Sequence, residues 1–307
     1  MFLTKKGYKM SYTKLLLFLG LLIPTIAVAQ ETTTEQSDIM TPKVLNANFR
    51  RVGLELSSTE VRHSQDYANS SITQLNADSQ TVVKGVFDFA LEYETKHFRW
   101  DNSVFAEYAK TKLKPANQPA DTNESADKIL LSTNYTQKIW DFEEGSIGPF
   151  VDGAYQTEFT KNNGNRLKVL RGKAGLKLFD GKVFKDLYVA GVGEYDMTYD
   201  PDVAKSAAEA GFRIEKDLRE GVKFSSDGYY RRYLSYSQSK AETLEDLRYD
   251  LNVTAHLDVN LYSCLTVGPY VSYRRAHRRG SDVAGSNFMI GLSFSYIDLF
   301  NLIGKEK

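Results

Sequence analysis

Cysteine is nearly missing from this chain. Cys264 stands alone among 307 residues, which excludes an intramolecular disulfide and a cysteine-based metal cluster. After residue 29 no stretch approaches the ~20 consecutive apolar residues that a membrane-crossing helix needs. An excess of one charge sign is absent too, with 39 Lys and Arg against 39 Asp and Glu. A chain that binds nucleic acid is basic, so that class is set aside. The four histidines, His63, His97, His256 and His277, are scattered and have no metal-ligand spacing. No cofactor is expected.

The one long apolar run lies at the N-terminus. Lys5, Lys6, Lys9 and Lys14 precede "LLLFLGLLIPTIAVA", which ends in Ala27-Val28-Ala29. Positive charge, an apolar core and small residues at the exit make a secretory leader, predicted over residues 1–29 with the mature chain from Gln30. Met10 offers a second start. Without the leader the chain has 35 basic and 39 acidic residues. Residues 30–43 are polar and read as a disordered periplasmic segment.

What fills the rest is alternation. In "DLRYDLNVTAHLDVNLY", residues 246–262, the odd positions from Leu247 to Val259 are apolar and the even positions from Asp246 to Asp258 are polar. Period two marks a strand with one apolar and one polar face. The pattern recurs as about twelve strands, near 45–62, 82–94, 97–112, 128–140, 146–160, 167–179, 184–199, 206–217, 221–237, 243–259, 261–276 and 286–300. Tight turns, such as "DGKVF" and "LREG" and one at Asn260, alternate with longer polar loops. Long strands, short turns on one side and longer loops on the other predict an all-β fold. It is a single closed antiparallel transmembrane β-barrel over residues 44–300, with short periplasmic turns, longer extracellular loops and a tail at 301–307.

Parity assigns the faces. Val83, Phe87, Val151, Val189, Val271 and Ile290 belong to the outward set. The lumen set is charged. It includes Lys84, Asp88 and Glu92, then Asp152 and Glu158, then Arg171, Lys173 and Lys177. Glu194, Asp196 and Arg213 follow, with Asp227, Arg231, Arg248 and Asp250 further along. Acidic strands flank the cationic one at 167–179, so cross-strand pairing is expected. Two readings of the lumen stay open: a salt-bridged interior that stiffens a narrow barrel, and a porin-like channel for small solutes. Surface-loop binding is an alternative. A rim lipid hydrolase built on His277 with Ser281, Asp282 and Ser286 lacks a supporting motif.

The run "YRRAHRR", 273–279, lies near Tyr229, Tyr230, Arg231 and Arg232. Arg232, Arg275, His277, Arg278 and Arg279 are candidate contacts for lipopolysaccharide phosphates, since arginine suits bidentate phosphate binding. Near the C-terminus, "GLSFSYIDLF" resembles the terminal assembly signal of bacterial outer-membrane barrels, with Gly291, Phe294, Tyr296 and Phe300 in its positions. The whole chain is similar to outer-membrane barrels classed as domains of unknown function. The resemblance implies residence in the Gram-negative outer membrane, contact with outer-membrane lipid and lipopolysaccharide, and the barrel-assembly machinery as a partner.

Overall fold

Every backbone N–H and C=O that faces hydrocarbon without a partner costs several kcal/mol, so a spanning sheet has to close on itself. The computed structural model describes residues 44–67, 72–76, 81–113, 121–143, 145–161, 165–198, 200–238 and 246–303. There the sheet does close. Antiparallel neighbours run from β1 (Val44–Arg62) through β2 (Thr81–Glu94) and β3 (Phe98–Leu113) to β4 (Asp121–Gln137). A short strand β5 (Trp140–Phe142) pairs with β6 (Gly145–Thr157), while β6 itself pairs with β4. The ring continues with β7 (Val169–Phe179), β8 (Phe184–Asp196), β9 (Val203–Arg219) and β10 (Val222–Tyr236). Then come β11 (Leu247–Tyr262), β12 (Leu265–Arg278) and β13 (Ala284–Ile303). β13 pairs with β1 along almost its whole length. With β5 outside the ring, the fold is a closed antiparallel barrel of twelve strands, as the alternation predicts.

The outward face is apolar. Leu54, Val83, Val151, Leu176, Val189 and Ile290 each expose half or more of their surface. At the seam between the first and last strands the aromatics gather. The Phe49 ring lies 4.9 Å from Phe89, 6.0 Å from Tyr296 and 5.9 Å from Phe300, a patch of the kind that girdles membrane barrels. The last strand carries the expected terminal residues, and Gly291 lies directly against β1, opposite Ser57. A Cβ there would lie 2.0 Å from the carbonyl oxygen of Leu56.

Several boundaries differ from the sequence expectation. The turn placed at Asn260 is at Ser263–Cys264: β11 runs on past Asn260 through the exposed Leu261 and Tyr262, with a register shift there, and Ser263 takes the left-handed conformation with φ of 50°. Cys264 is half-buried in that turn. β4 begins at Asp121 rather than near 128, and β13 continues three residues past Phe300 into the expected tail. The leader at 1–29, the segment at 30–43 and residues 304–307 lie outside the described residues.

The largest departure is the first loop. A 3₁₀ turn, Ser64–Tyr67, and a one-turn helix α1, Thr73–Asn76, fold inward over the barrel mouth. No helical periodicity announces them, since each spans only four residues.

Candidate functional site

The lumen is lined by the charges that parity assigned to it, and those charges pair. Arg171 Nε donates to Glu194 at 2.7 Å, and Lys173 Nζ to Glu209 at 2.7 Å. Arg231 joins the two acids, donating from Nη1 to Glu194 and from Nε to Glu209, both at 2.6 Å. Tyr188 donates its hydroxyl to Glu209, and Lys205 reaches Asp196 at 2.8 Å. On the facing wall Lys84 lies 2.8 Å from Glu55 and 3.4 Å from Glu107, and Glu55 also meets His256 Nε2 at 3.1 Å. Arg274 forks onto Asp250, which also accepts from the Tyr229 hydroxyl.

Geometry decides whether these pairs fill the lumen or line it. The longest reaches are Arg51 to Asp258 and His256 to Glu55, both of which cross only β12 and β13, and Arg99 to Asp180 near the turns. Among the described residues, the ion pairs thus run around the wall rather than across the ring. The centre stays open as a cavity of about 770 Å3. It is bounded by Glu55, Lys84, Asp88, Lys128, Asp227 and Arg274, among others, and extends toward Lys223 and Glu215 near the β9–β10 turn. Asp88 and Asp227 face this space near Arg213, with no ion pair within 4 Å for either carboxylate among the described residues. Toward the β2–β3 and β7–β8 turns a second set of charges pairs along the wall: Arg99 with Asp101 and Asp180, and Lys177 with Asp186, near the buried Phe179.

The first loop roofs the cavity. Tyr67 and Leu75 are both 0% exposed and pack with Val192, Ala207, Tyr233, Leu247 and Ala276. The Tyr67 hydroxyl lies 3.2 Å from the Ala276 carbonyl and 3.1 Å from that of Val283, and it accepts from the backbone N–H of Arg278. Its ring rests on Gly285, where a Cβ would come within 2.9 Å of the ring. Gln74 latches α1 to the wall. It donates to Glu107 at 3.3 Å and accepts from Arg274 at 3.2 Å, while Asn287 donates to its carbonyl at 2.6 Å.

Of the lumen candidates, Lys84, Asp88, Glu92, Arg171, Lys173 and Lys177 lie on the inner wall or in its layers, as do Glu194, Asp196, Arg213, Asp227, Arg231 and Asp250. Asp152 is half-buried and accepts from Asn134 at 3.3 Å. Glu158 is past the end of β6, where it accepts from the Leu167 N–H. Arg248 requires correction. The register slips between Leu247 and Tyr249, so Leu247 turns inward to meet Tyr67 and Arg248 is exposed outside the lumen. One bulge inverts the parity beyond it.

The rim set also divides. Arg232 and Arg275 are exposed on the outer face, with His277 beside them. Arg279 turns back instead, donating to the Tyr233 carbonyl at 3.2 Å and lying 3.5 Å from Asp246. Arg278 holds Tyr67 through its backbone. The hydrolase grouping does not assemble as a Ser–His–Asp chain, because the Ser281 hydroxyl is taken by the Val283 backbone and the His277 ring stacks on Tyr249 at 5.8 Å. Sequence parity missed Arg51 and Glu55, which lie past a bulge in β1; the alternation "LEL" around Glu55 was the available signal.

Residues 74–163 match a family described as "Protein of unknown function (DUF3078)". No curated protein matches the chain. Among solved structures the chain is similar to the NanC porin, at 10% identity over 78% of this chain and 98% of that one, with a TM-score of 0.39. It is similar to the translocator domain of the autotransporter NalP from Neisseria meningitidis, at 8% identity over 92% and 96%, TM-score 0.35. The CymD monoaromatic hydrocarbon channel matches at 8% identity over 83% and 88%, TM-score 0.38. The chain is an outer-membrane-type β-barrel by its own ring of twelve paired strands.

Proposed function

We propose that this protein is an outer-membrane channel for small polar solutes, closed at the extracellular mouth by its own first loop. One observation carries the reading: the charged groups of the lumen pair along the wall and leave a polar cavity of about 770 Å3 beneath the Tyr67–Leu75 roof. A barrel kept only for stiffness gains nothing from an open centre with Asp88 and Asp227 facing it. The predicted leader, residues 1–29, delivers the chain across the inner membrane, and the barrel-assembly machinery inserts it through the terminal signal at Gly291, Phe294, Tyr296 and Phe300. Gram-negative residence follows from the same reading.

The test is single-channel recording in a planar bilayer with refolded mature protein and with G285V. The added side chain at Gly285 meets the Tyr67 ring and lifts the roof without touching the lumen charges. Discrete steps that become more frequent or larger in G285V support a roofed channel. Silence from both proteins, each verified as folded by heat-modifiable mobility, sinks the proposal and leaves a structural barrel.

A further inference from the structure

A lipid-facing arginine is costly near the middle of the hydrocarbon, by roughly 2–4 kcal/mol at the midplane. Near the rim it persists where an anion meets it. Arg232, Arg248 and Arg275 are exposed on the outer face of β10, β11 and β12, and all three act electrostatically on His277. Among the described residues, four acids in or next to β8, β9 and β11 near this rim are held by other arginines. Glu194 and Glu209 hold Arg231, Asp250 holds Arg274, and Asp246 lies against Arg279. Register places the outer cations close together. Arg232 pairs with Tyr249, Tyr249 pairs with His277, and Arg275 pairs with Leu251, so the patch spans roughly 10 Å at the usual strand spacing. The rings of Tyr230, Tyr249 and His277 form a continuous platform, with centroids 5.9 and 5.8 Å apart.

Arg232 also ends a groove of about 490 Å3 in the lipid-facing wall. Its floor is small, Ala208 and Ala210, and its sides are Leu176, Val189 and Tyr230. A groove in that wall is filled by lipid, and its apolar lining suits an acyl chain. The cations at one end suit a phosphate, which arginine binds through paired N–H donors.

We infer that this face is a specific site for one lipopolysaccharide molecule, with an acyl chain along the Ala208–Ala210 groove and phosphate groups against Arg232, Arg248 and Arg275. Arg278 and Arg279, by contrast, serve the roof and the rim. The inference rests on the outer-membrane placement and not on conduction.

The experiment is native mass spectrometry of the full-length protein extracted from outer membranes in mild detergent. The wild type is compared with the triple variant R232Q/R248Q/R275Q, with A208L, and with L131A on the lipid face of β4 as a control. Heat-modifiable mobility verifies each barrel. The expected result is retained lipopolysaccharide on wild type and L131A, at least a tenfold loss in the triple variant and a several-fold loss in A208L. If the triple variant does not fold, A208L alone decides. Equal retention by wild type and A208L overturns the groove, and retained phospholipid in place of lipopolysaccharide overturns the occupant. Bilayer recording on the same preparations separates the two proposals: a silent wild type that keeps its lipid refutes the channel and supports this site.

Discussion

Arg231 and Arg232 are consecutive in β10 and face opposite media. Arg231 is buried in the lumen wall between Glu194 and Glu209, while Arg232 is exposed on the outer surface beside Tyr230 and the Ala208 groove. The strand pleat alone separates them. Their replacement should therefore have opposite consequences. R231A strips a cation from two buried carboxylates, which keep Arg171 and Lys173 as remaining partners. Breaking a buried pair from one side costs about 3–5 kcal/mol, and the remaining partners place this case near the lower end. R232A removes an exposed side chain with no acid partner among the described residues and should change stability by no more than ~0.5 kcal/mol. Urea unfolding of both variants in lipid vesicles checks this; equal losses would contradict the assigned faces.

The cavity gives a prediction about ions. Asp227 faces the open centre near Asp88, whereas Glu209 is bound by Lys173, Arg231 and Tyr188. D227N should lower cation preference, seen as a shift of the reversal potential toward the anion value in a salt gradient. E209Q should act on stability instead, because it weakens a buried network. A reversal potential that D227N leaves unmoved would mean that ions do not pass through this cavity.

Much of this was legible from alternation. The twelve strands, the apolar outer face and most of the lumen charges follow from period two. The misses of Arg248, Arg51 and Glu55 share a physical cause, which is a local break in that period. A bulge between Leu247 and Tyr249 carries Arg248 outward, and one in β1 sets Arg51 to face Asp258. A bulge adds one residue without changing composition, so a pattern read along one strand does not register it. The inward loop was hidden for another reason. Tyr67 and Leu75 lie in "HSQDYANSSITQLNADSQ", a polar stretch that reads as solvent-facing, and only contact with strands far along the chain buries them.

Closure of the ring yields a third prediction. At Gly291 a Cβ would lie 2.0 Å from the Leu56 carbonyl, whereas at Gly172 nothing lies within 4 Å. G291V should displace β13 from β1 and reduce the folded protein recovered from outer membranes several-fold. G172A should be recovered at the wild-type level, since its Cβ points into free space. Heat-modifiable mobility of membrane fractions measures both. Equal recovery would mean that the seam between β1 and β13 tolerates a wider separation than its register implies.

The roof supplies the last prediction. Tyr67 is fixed through its ring, against Gly285, and through its hydroxyl, which lies near the Ala276 and Val283 carbonyls and accepts from the Arg278 N–H. Y67F keeps the ring and removes the hydroxyl. Its expected cost is that of buried polar groups left without a partner, about 1–3 kcal/mol, with the roof still seated. Y67A loses the ring as well, and a buried aromatic truncated to alanine costs about 3–5 kcal/mol. Among the described loop residues Tyr67 and Leu75 are the fully buried ones, so Y67A should release the loop locally without unfolding the barrel, whose strands do not depend on it. Limited proteolysis of folded protein distinguishes these outcomes. Cleavage between residues 63 and 80 should be fast in Y67A, slow in Y67F and slowest in wild type. Rapid cleavage of the wild type would mean that the roof is already open most of the time, and G285V would then add little to any conductance.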